Sequence, residues 1–342
     1  MSLDPRREFI LCALVHEYIR TVEPISSGYL VENYQLGVSS ATVRNELATL
    51  EKLGYLKQPH TSAGRIPTDE GYRCYVNSLT DTETLTLAEK RLIHRFYLEI
   101  NKEMEDLIRE TSSLLSRLTN YAAVVFAPAL KKSLLKHVDL IFLRSWTILL
   151  ALITDTGWVA KRVLELERPV RAGDLWLLES ALNERLAKSS PDCIHDIVEQ
   201  LFQLLPGRES LIRKVVISID DCLAEENRRF YFGGASLLLQ QPEFRSLEKV
   251  QALFQVFEQG YMLLRLLGGE LEPERVVVKI GSENEQLGME DCSLVIASYQ
   301  VADKSLGVLG LLGPTRMNYA KAISTVGYVA QNLSETLESL HG

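Results

Sequence analysis

The chain has 342 residues, 46% of them hydrophobic and 24% charged, with a formal net charge of −8. That length and composition fit two or three domains with sizeable cores and exclude a disordered chain. The negative balance excludes a general nucleic-acid coat protein, so any nucleic-acid contact must be a local surface.

In chain order, Pro5 to Thr21 reads as a first helix, with Ile10, Leu11, Leu14, Val15, Tyr18 and Ile19 on its apolar stripe. Thr21-Val22-Glu23-Pro24 breaks it, Ser26 caps a short second helix ending near Tyr34, and Gly37 turns the chain into a third. In that third helix Val43, Leu47 and Leu50 share one buried stripe, and Ser39 and Ser40 sit where an N-cap belongs. The opposite face carries Ala41, Asn45, Ala48 and Lys52, flanked by Thr42, Arg44 and Thr49, with no acidic residue; Glu46 and Glu51 project nearer the buried side. Gly54 stops the helix. A short strand (Tyr55 to Gln58), a tip (Pro59 to Gly64) and a return strand from Arg65 follow, and Thr68 caps a further helix bearing Tyr72, Tyr75, Val76 and Leu79. Helix, turn, helix and hairpin predict a winged helix-turn-helix domain over residues 1–78. Those 78 residues hold eight Lys/Arg and nine Asp/Glu, a net −1 that leaves −7 for the rest. Between Lys52 and Thr68, however, Lys52, Lys57 and Arg65 meet no carboxylate, so a polyanion can dock there. The expected double-stranded DNA contacts are Ser39, Ser40, Ala41, Thr42, Arg44, Asn45, Thr49 and Lys52 on the helix, and His60, Thr61, Ser62 and Arg65 on the wing. Arg44 and Asn45 are the base-edge candidates, because Arg pairs bidentately with guanine and Asn with adenine.

The run RNELATLEKLGYLKQPHTSAGRIPTDEGYRCYV (44–76) closely resembles the heat-inducible transcription repressors of the HrcA type, and the wing HTSAGRIPT is far less generic than a helix-turn-helix. Ser27-Gly28-Tyr29-Leu30 departs from the family pattern by carrying no basic residue. The resemblance reaches the C-terminus through FGGASLLLQQPEF (232–244), IGSENE (280–285), CSLVIASYQ (292–300) and GVLGLLGPTRMNYAKAI (307–323). It implies a GAF-like sheet domain, an inserted dimerisation domain, and a dimer that binds an inverted-repeat operator upstream of chaperone genes. It also implies a chaperonin that modulates the repressor's activity.

Thr80 to Thr86 reads as a polar linker within 79–86. Leu87 to about Asn120 is predicted as a long helical stretch. Strand-like runs follow at Val138 to Leu143, Trp146 to Thr154 and Trp158 to Leu166, the last two joined by the turn Asp155-Thr156-Gly157. From about Ala172 to Leu205 the chain is mainly helical. A run at Arg228 to Leu239 leads into Gly233-Gly234, and a helix is predicted from Leu247 to Leu267. There Val250, Phe254, Phe257, Tyr261 and Leu264 alternate at spacings of four and three, a seam that suits either a sister subunit or the domain's own core. Strand pattern resumes at Val276 to Ile280, Ser293 to Gln300 and Leu306 to Leu312, before a closing helix from Arg316. The pattern gives an α+β, multidomain chain with a winged helix-turn-helix, a sheet domain from 87–167 and 271–342 and a mainly helical insert at 168–270; the resemblance implies that the sheet domain is a GAF-like α/β domain and that the insert is the dimerisation domain.

No GxxxxGK[ST], GxGxxG, HExxH or GxSxG pattern is present, so no enzyme, cofactor or metal site is expected. The five cysteines are scattered without CxxC spacing, which fits reduced thiols in a cytoplasm. The start MSLDPRREF has no apolar h-region and no run approaches 18 apolar residues, so a cytoplasmic location without a membrane segment is expected. IGSENE with CSLVIASY is the best candidate for a small-molecule site, and a ligand-sensing regulator with the same DNA domain is the alternative reading. Against it, the loop shows no convergent apolar lining.

Overall fold

Asp4 starts the first helix: its carboxylate accepts from the N–H groups of Arg6 and Arg7, and Pro5 supplies a φ already suited to the first turn. The computed structural model describes residues 3–60, 63–79, 85–99, 104–127, 135–154, 159–186, 198–226, 230–244, 276–287, 289–301 and 305–339. Helix α1 (Pro5–Thr21) ends at Val22, whose N–H closes on the Tyr18 carbonyl. Ser26 caps α2 (Ser27–Asn33) and Ser39 caps α3 (Ser40–Lys52). Glu17 on α1 is buried and accepts the Tyr29 and Tyr34 hydroxyls at 2.7 and 2.9 Å. Burial works to raise its pKa, but those two hydroxyls, Arg20 and His16 outweigh it and hold the carboxyl below its ordinary range. A charged group thus fastens α1 to the start and end of α2.

Gly54, at φ 88°, ends α3 in the left-handed region that favours glycine. Strands β1 (Leu56–Lys57) and β2 (Ile66–Pro67) then pair antiparallel, and α4 (Asp69–Ser78) follows, capped by Thr68. Next come α5 (Leu87–Glu99) and α6 (Met104–Thr119).

Strand β3 (Ala122–Phe126) is buried along its whole length and lies inside a five-stranded antiparallel sheet of order β7-β3-β10-β9-β8. Its partners are β7 (Phe230–Gly233), β8 (Val277–Ile280), β9 (Cys292–Val301) and β10 (Ser305–Pro314). Helix α6 packs against β3 and β7, and α11 (Tyr319–Ser339) packs against β9. Val124, Phe126, Leu294, Ile296 and Leu312 form a second core with Phe244 and Met289.

Between β3 and β7, β4 (Leu135–Arg144), β5 (Thr147–Thr154) and β6 (Val159–Glu165) make a separate three-stranded sheet. Helix α7 (Ala172–Leu186) packs on β4, and α9 (Glu209–Glu226) packs on β6 and on α8 (Val198–Leu204). Asn183 bonds both the N–H and the carbonyl of Val138 at 2.7 Å, so α7 covers groups that the edge strand β4 leaves free. The expected division at residue 168 stands beside a different strand pairing. Among the described residues, β4, β5 and β6 pair with one another, while β7 and α10 (Ala235–Gln240) return to the larger sheet. The physical reason is that hairpin-linked strands pair with their neighbours, whatever sheet precedes them. Within the helical stretch expected from Leu87, the described residues form α5 and α6.

The N-terminal unit is fastened to the larger sheet through α4. Arg73 Nε donates to Glu283 at 2.7 Å, Nη2 donates to the Val278 carbonyl at 2.7 Å, and a second Nη2 contact reaches Glu283. Asp69 accepts the Ser282 N–H at 2.9 Å, and the Tyr72 and Tyr319 rings lie 6.0 Å apart. Arg73→Ala is expected to lower stability by about 1–2 kcal/mol in urea unfolding, since it leaves Glu283 and a carbonyl without their donor. Arg73→Lys should recover only part of this, because an ammonium cannot make the forked contact. Wild-type stability in both variants would rule out Arg73 as a fastening residue.

Candidate nucleic-acid interface

Val43, Leu47 and Leu50 are buried and seat α3 on α1 and α2. That orientation turns Ala41, Arg44, Asn45 and Lys52 outward, while Thr42, Ala48 and Thr49 are half-buried. Ser39 Oγ accepts the Thr42 N–H at 3.2 Å, and the Ser27 and Ser40 hydroxyls meet at 3.1 Å, tying α2 to α3. Thr49 Oγ1 donates to the Asn45 carbonyl at 3.0 Å, so its hydroxyl proton serves the helix itself.

The two carboxylates of α3 are both held by arginines. Glu46 takes Arg7 at 2.7 Å and Glu51 takes Arg65 at 2.9 Å. Among the described residues, Arg44, Lys52 and Lys57 form no ion pair. The exposed strip therefore presents free cations, while its nearest carboxylates are neutralised from the flank.

Arg65 is placed differently from what the sequence suggests. Its side chain is only 16% exposed and lies on Glu51, not out from the wing. Its backbone pairs with Ile25 in both directions, at 2.9 and 2.8 Å. Gly64 beside it approaches Pro24 and Ile25 so closely that a Cβ would meet backbone atoms at 2.5 Å. The hairpin is thus pinned at its base to the α1–α2 turn. His60 at the tip is exposed, and its carbonyl accepts the Ala63 N–H at 2.9 Å. Thr61 and Ser62 lie outside the described residues, as do Val250, Phe254, Phe257, Tyr261 and Leu264 of the expected dimerisation seam.

Sequence reasoning missed the Arg7–Glu46 pair and the Arg73 junction. It also left the loop IGSENE open as a ligand site. In the structure Glu283 holds Arg73 and the Ile280 N–H, and Asn284 Nδ2 donates to the Cys292 carbonyl at 2.9 Å. These contacts serve fastening, while the buried Asn284 Oδ1 has no hydrogen-bond partner among the described residues. No group of three or more His, Cys, Asp or Glu side chains suited to a metal occurs among the described residues.

The profile of the HrcA protein C-terminal domain matches residues 105–323. A relative from Pelotomaculum thermopropionicum, named heat-inducible transcription repressor HrcA, is 38% identical over 99% of this chain and 98% of its own length. The chain belongs to the HrcA family. A second HrcA relative, from Desulforudis audaxviator, is 37% identical over the whole of both chains. A crystal structure of a hypothetical protein shares 25% identity and superposes with a TM-score of 0.69 over 99% of each chain. The HrcA likeness thus covers the α3 face and the hairpin as well as the matched C-terminal region.

Proposed function

We infer that this heat-inducible transcription repressor acts through a winged helix at its N-terminus, with α3 as the recognition helix and the β1–β2 hairpin as the wing. The observation that carries the reading is the α3 face: Arg44 and Asn45 stand exposed on a helix whose own carboxylates are paired away. Arg44 and Asn45 read base edges in a major groove. Ser39, Ser40, Ala41, Thr42, Thr49 and Lys52 frame the backbone around them, with His60, Thr61 and Ser62 at the wing tip. The target is an inverted-repeat operator of heat-shock chaperone genes, read by a homodimer. The five-stranded sheet with α6 and α11 forms the GAF-like domain, and the insertion combines the segment between β3 and β7 with the segment that carries the Val250–Leu264 seam. The seam from Val250 to Leu264 rests on sequence spacing alone as the dimer contact, and a chaperonin partner rests on the family resemblance. Binding to chromosomal operators requires a cytoplasmic location; among the described residues no helix is long and apolar enough to cross a membrane.

The test is a footprint of the purified protein on DNA upstream of its own gene and of the chaperonin genes, with sedimentation of the complex. Two protected half-sites separated by whole helical turns, with two chains bound, are expected. Protection without a two-fold pattern would exclude the dimeric reading.

Arg65 separates direct from indirect action. Arg65→Ala is expected to lower affinity for operator and scrambled DNA alike, by uncovering the Glu51 carboxylate beside the phosphates. Adding Glu51→Gln should then restore most of the binding, as coupling between touching residues requires. No rescue in the double variant would make Arg65 a phosphate contact in its own right.

A further inference from the structure

A cleft of about 310 Å³ opens where the N-terminal unit meets the larger sheet domain. Tyr18, Lys57, Asp69 and Tyr72 line one side of it, and Glu243 and Arg316 line the other. The four charges balance, so what distinguishes a ligand is which groups already have partners. Asp69 accepts the Ser282 N–H, and Glu243 takes Arg316 through two hydrogen bonds. Among the described residues, the lining groups with no hydrogen-bond partner include the Lys57 ammonium and the hydroxyls of Tyr18, Tyr72 and Thr315, all of which can donate. The Tyr72 ring is buried, with the residue 3% exposed, and Tyr72 lines the cleft. Burial drives its pKa up, which keeps it a proton donor.

We propose that this cleft binds a small oxyanion, a phosphate or a carboxylate, between the Lys57 ammonium and the Tyr18 and Tyr72 hydroxyls. Because its walls come from both units, a bound anion adds a contact across the junction that Arg73 already fastens. It therefore biases the placement of the α3 face relative to the sheet domain. Lys57 belongs to the cationic strip as well, so the test is made without DNA.

The experiment is thermal melting of the full chain with inorganic phosphate, and separately with acetate, against chloride at matched ionic strength. A saturable rise in melting temperature with either anion is expected, since a ligand of the folded state stabilises by mass action. Tyr72→Phe keeps the ring and Lys57→Ala removes the charge; each should weaken the apparent affinity about tenfold, the worth of one charge-assisted or buried hydrogen bond. Phosphate alone acting would select a phosphoryl ligand, and acetate alone a carboxylate; both results support the site. No saturable rise with either anion, or an equal rise in both variants, overturns it. Weaker DNA binding by Lys57→Ala with no anion effect on melting also overturns it, by making Lys57 a DNA-backbone contact.

Discussion

Arg44→Ala is expected to lose operator discrimination by about 1–3 kcal/mol, the usual worth of one bidentate base contact, while retaining most of its affinity for scrambled DNA. The expectation rests on three features of one surface. Arg44 is exposed beside Asn45, it forms no ion pair among the described residues, and Glu46 and Glu51 are held by Arg7 and Arg65. Its guanidinium is therefore free of competing carboxylates. The helix beneath is held by Val43, Leu47 and Leu50, all essentially inaccessible to solvent, so truncating Arg44 should leave the fold intact. Competition binding with operator and scrambled duplexes is the measurement. Equal weakening on both would make Arg44 a phosphate contact; Arg44→Lys, which keeps the charge without the fork, should lose nearly as much discrimination as Arg44→Ala.

The parts of this surface that were legible in the sequence are those fixed by local chemistry. Ser39 at the cap, the Val43-Leu47-Leu50 stripe and Gly54 at the stop define α3 within fifteen or so residues, and the structure places all of them as that pattern requires. The pairing of Arg65 with Glu51 was not legible, because the two lie across a helix end and a hairpin, where spacing carries no signal. Strand β3 escaped notice for a different reason. Both its faces are buried, so its sequence shows no alternation, and short apolar runs of that kind do not distinguish strand from helix. The strands at 135–165 were legible as strands but not as a sheet of their own, since local pattern does not say which sheet a hairpin joins. Arg73 and Glu283 are 210 residues apart in sequence, and nothing near either one announces the contact.

Gly64→Ala should have the larger effect on stability. The added Cβ would lie 2.5 Å from the Ile25 carbonyl carbon and oxygen and 2.6 Å from the Pro24 oxygen. These are backbone atoms, so no rotamer change relieves the overlap. The hairpin base must move away from the α1–α2 turn, against the two Ile25–Arg65 hydrogen bonds beside it. Overpacking of this kind costs about 1–3 kcal/mol, and two weakened hydrogen bonds add about 1 kcal/mol each. A loss of about 3–5 kcal/mol in denaturant unfolding is expected. The hairpin and α3 share the Arg65–Glu51 pair, so the displacement also disturbs the cationic strip, and DNA affinity should fall on operator and scrambled sequences together. Gly28→Ala is the internal control. It lies in α2, where the nearest atom to a new Cβ is Ser26 Oγ at 3.8 Å, an ordinary contact. There the same methyl should be neutral or stabilising by about 0.5–1 kcal/mol, because alanine loses less chain entropy in a helix. Opposite signs for the two substitutions are expected; a Gly64→Ala variant that melts and binds like wild type would mean that the hairpin is not pinned at Ile25.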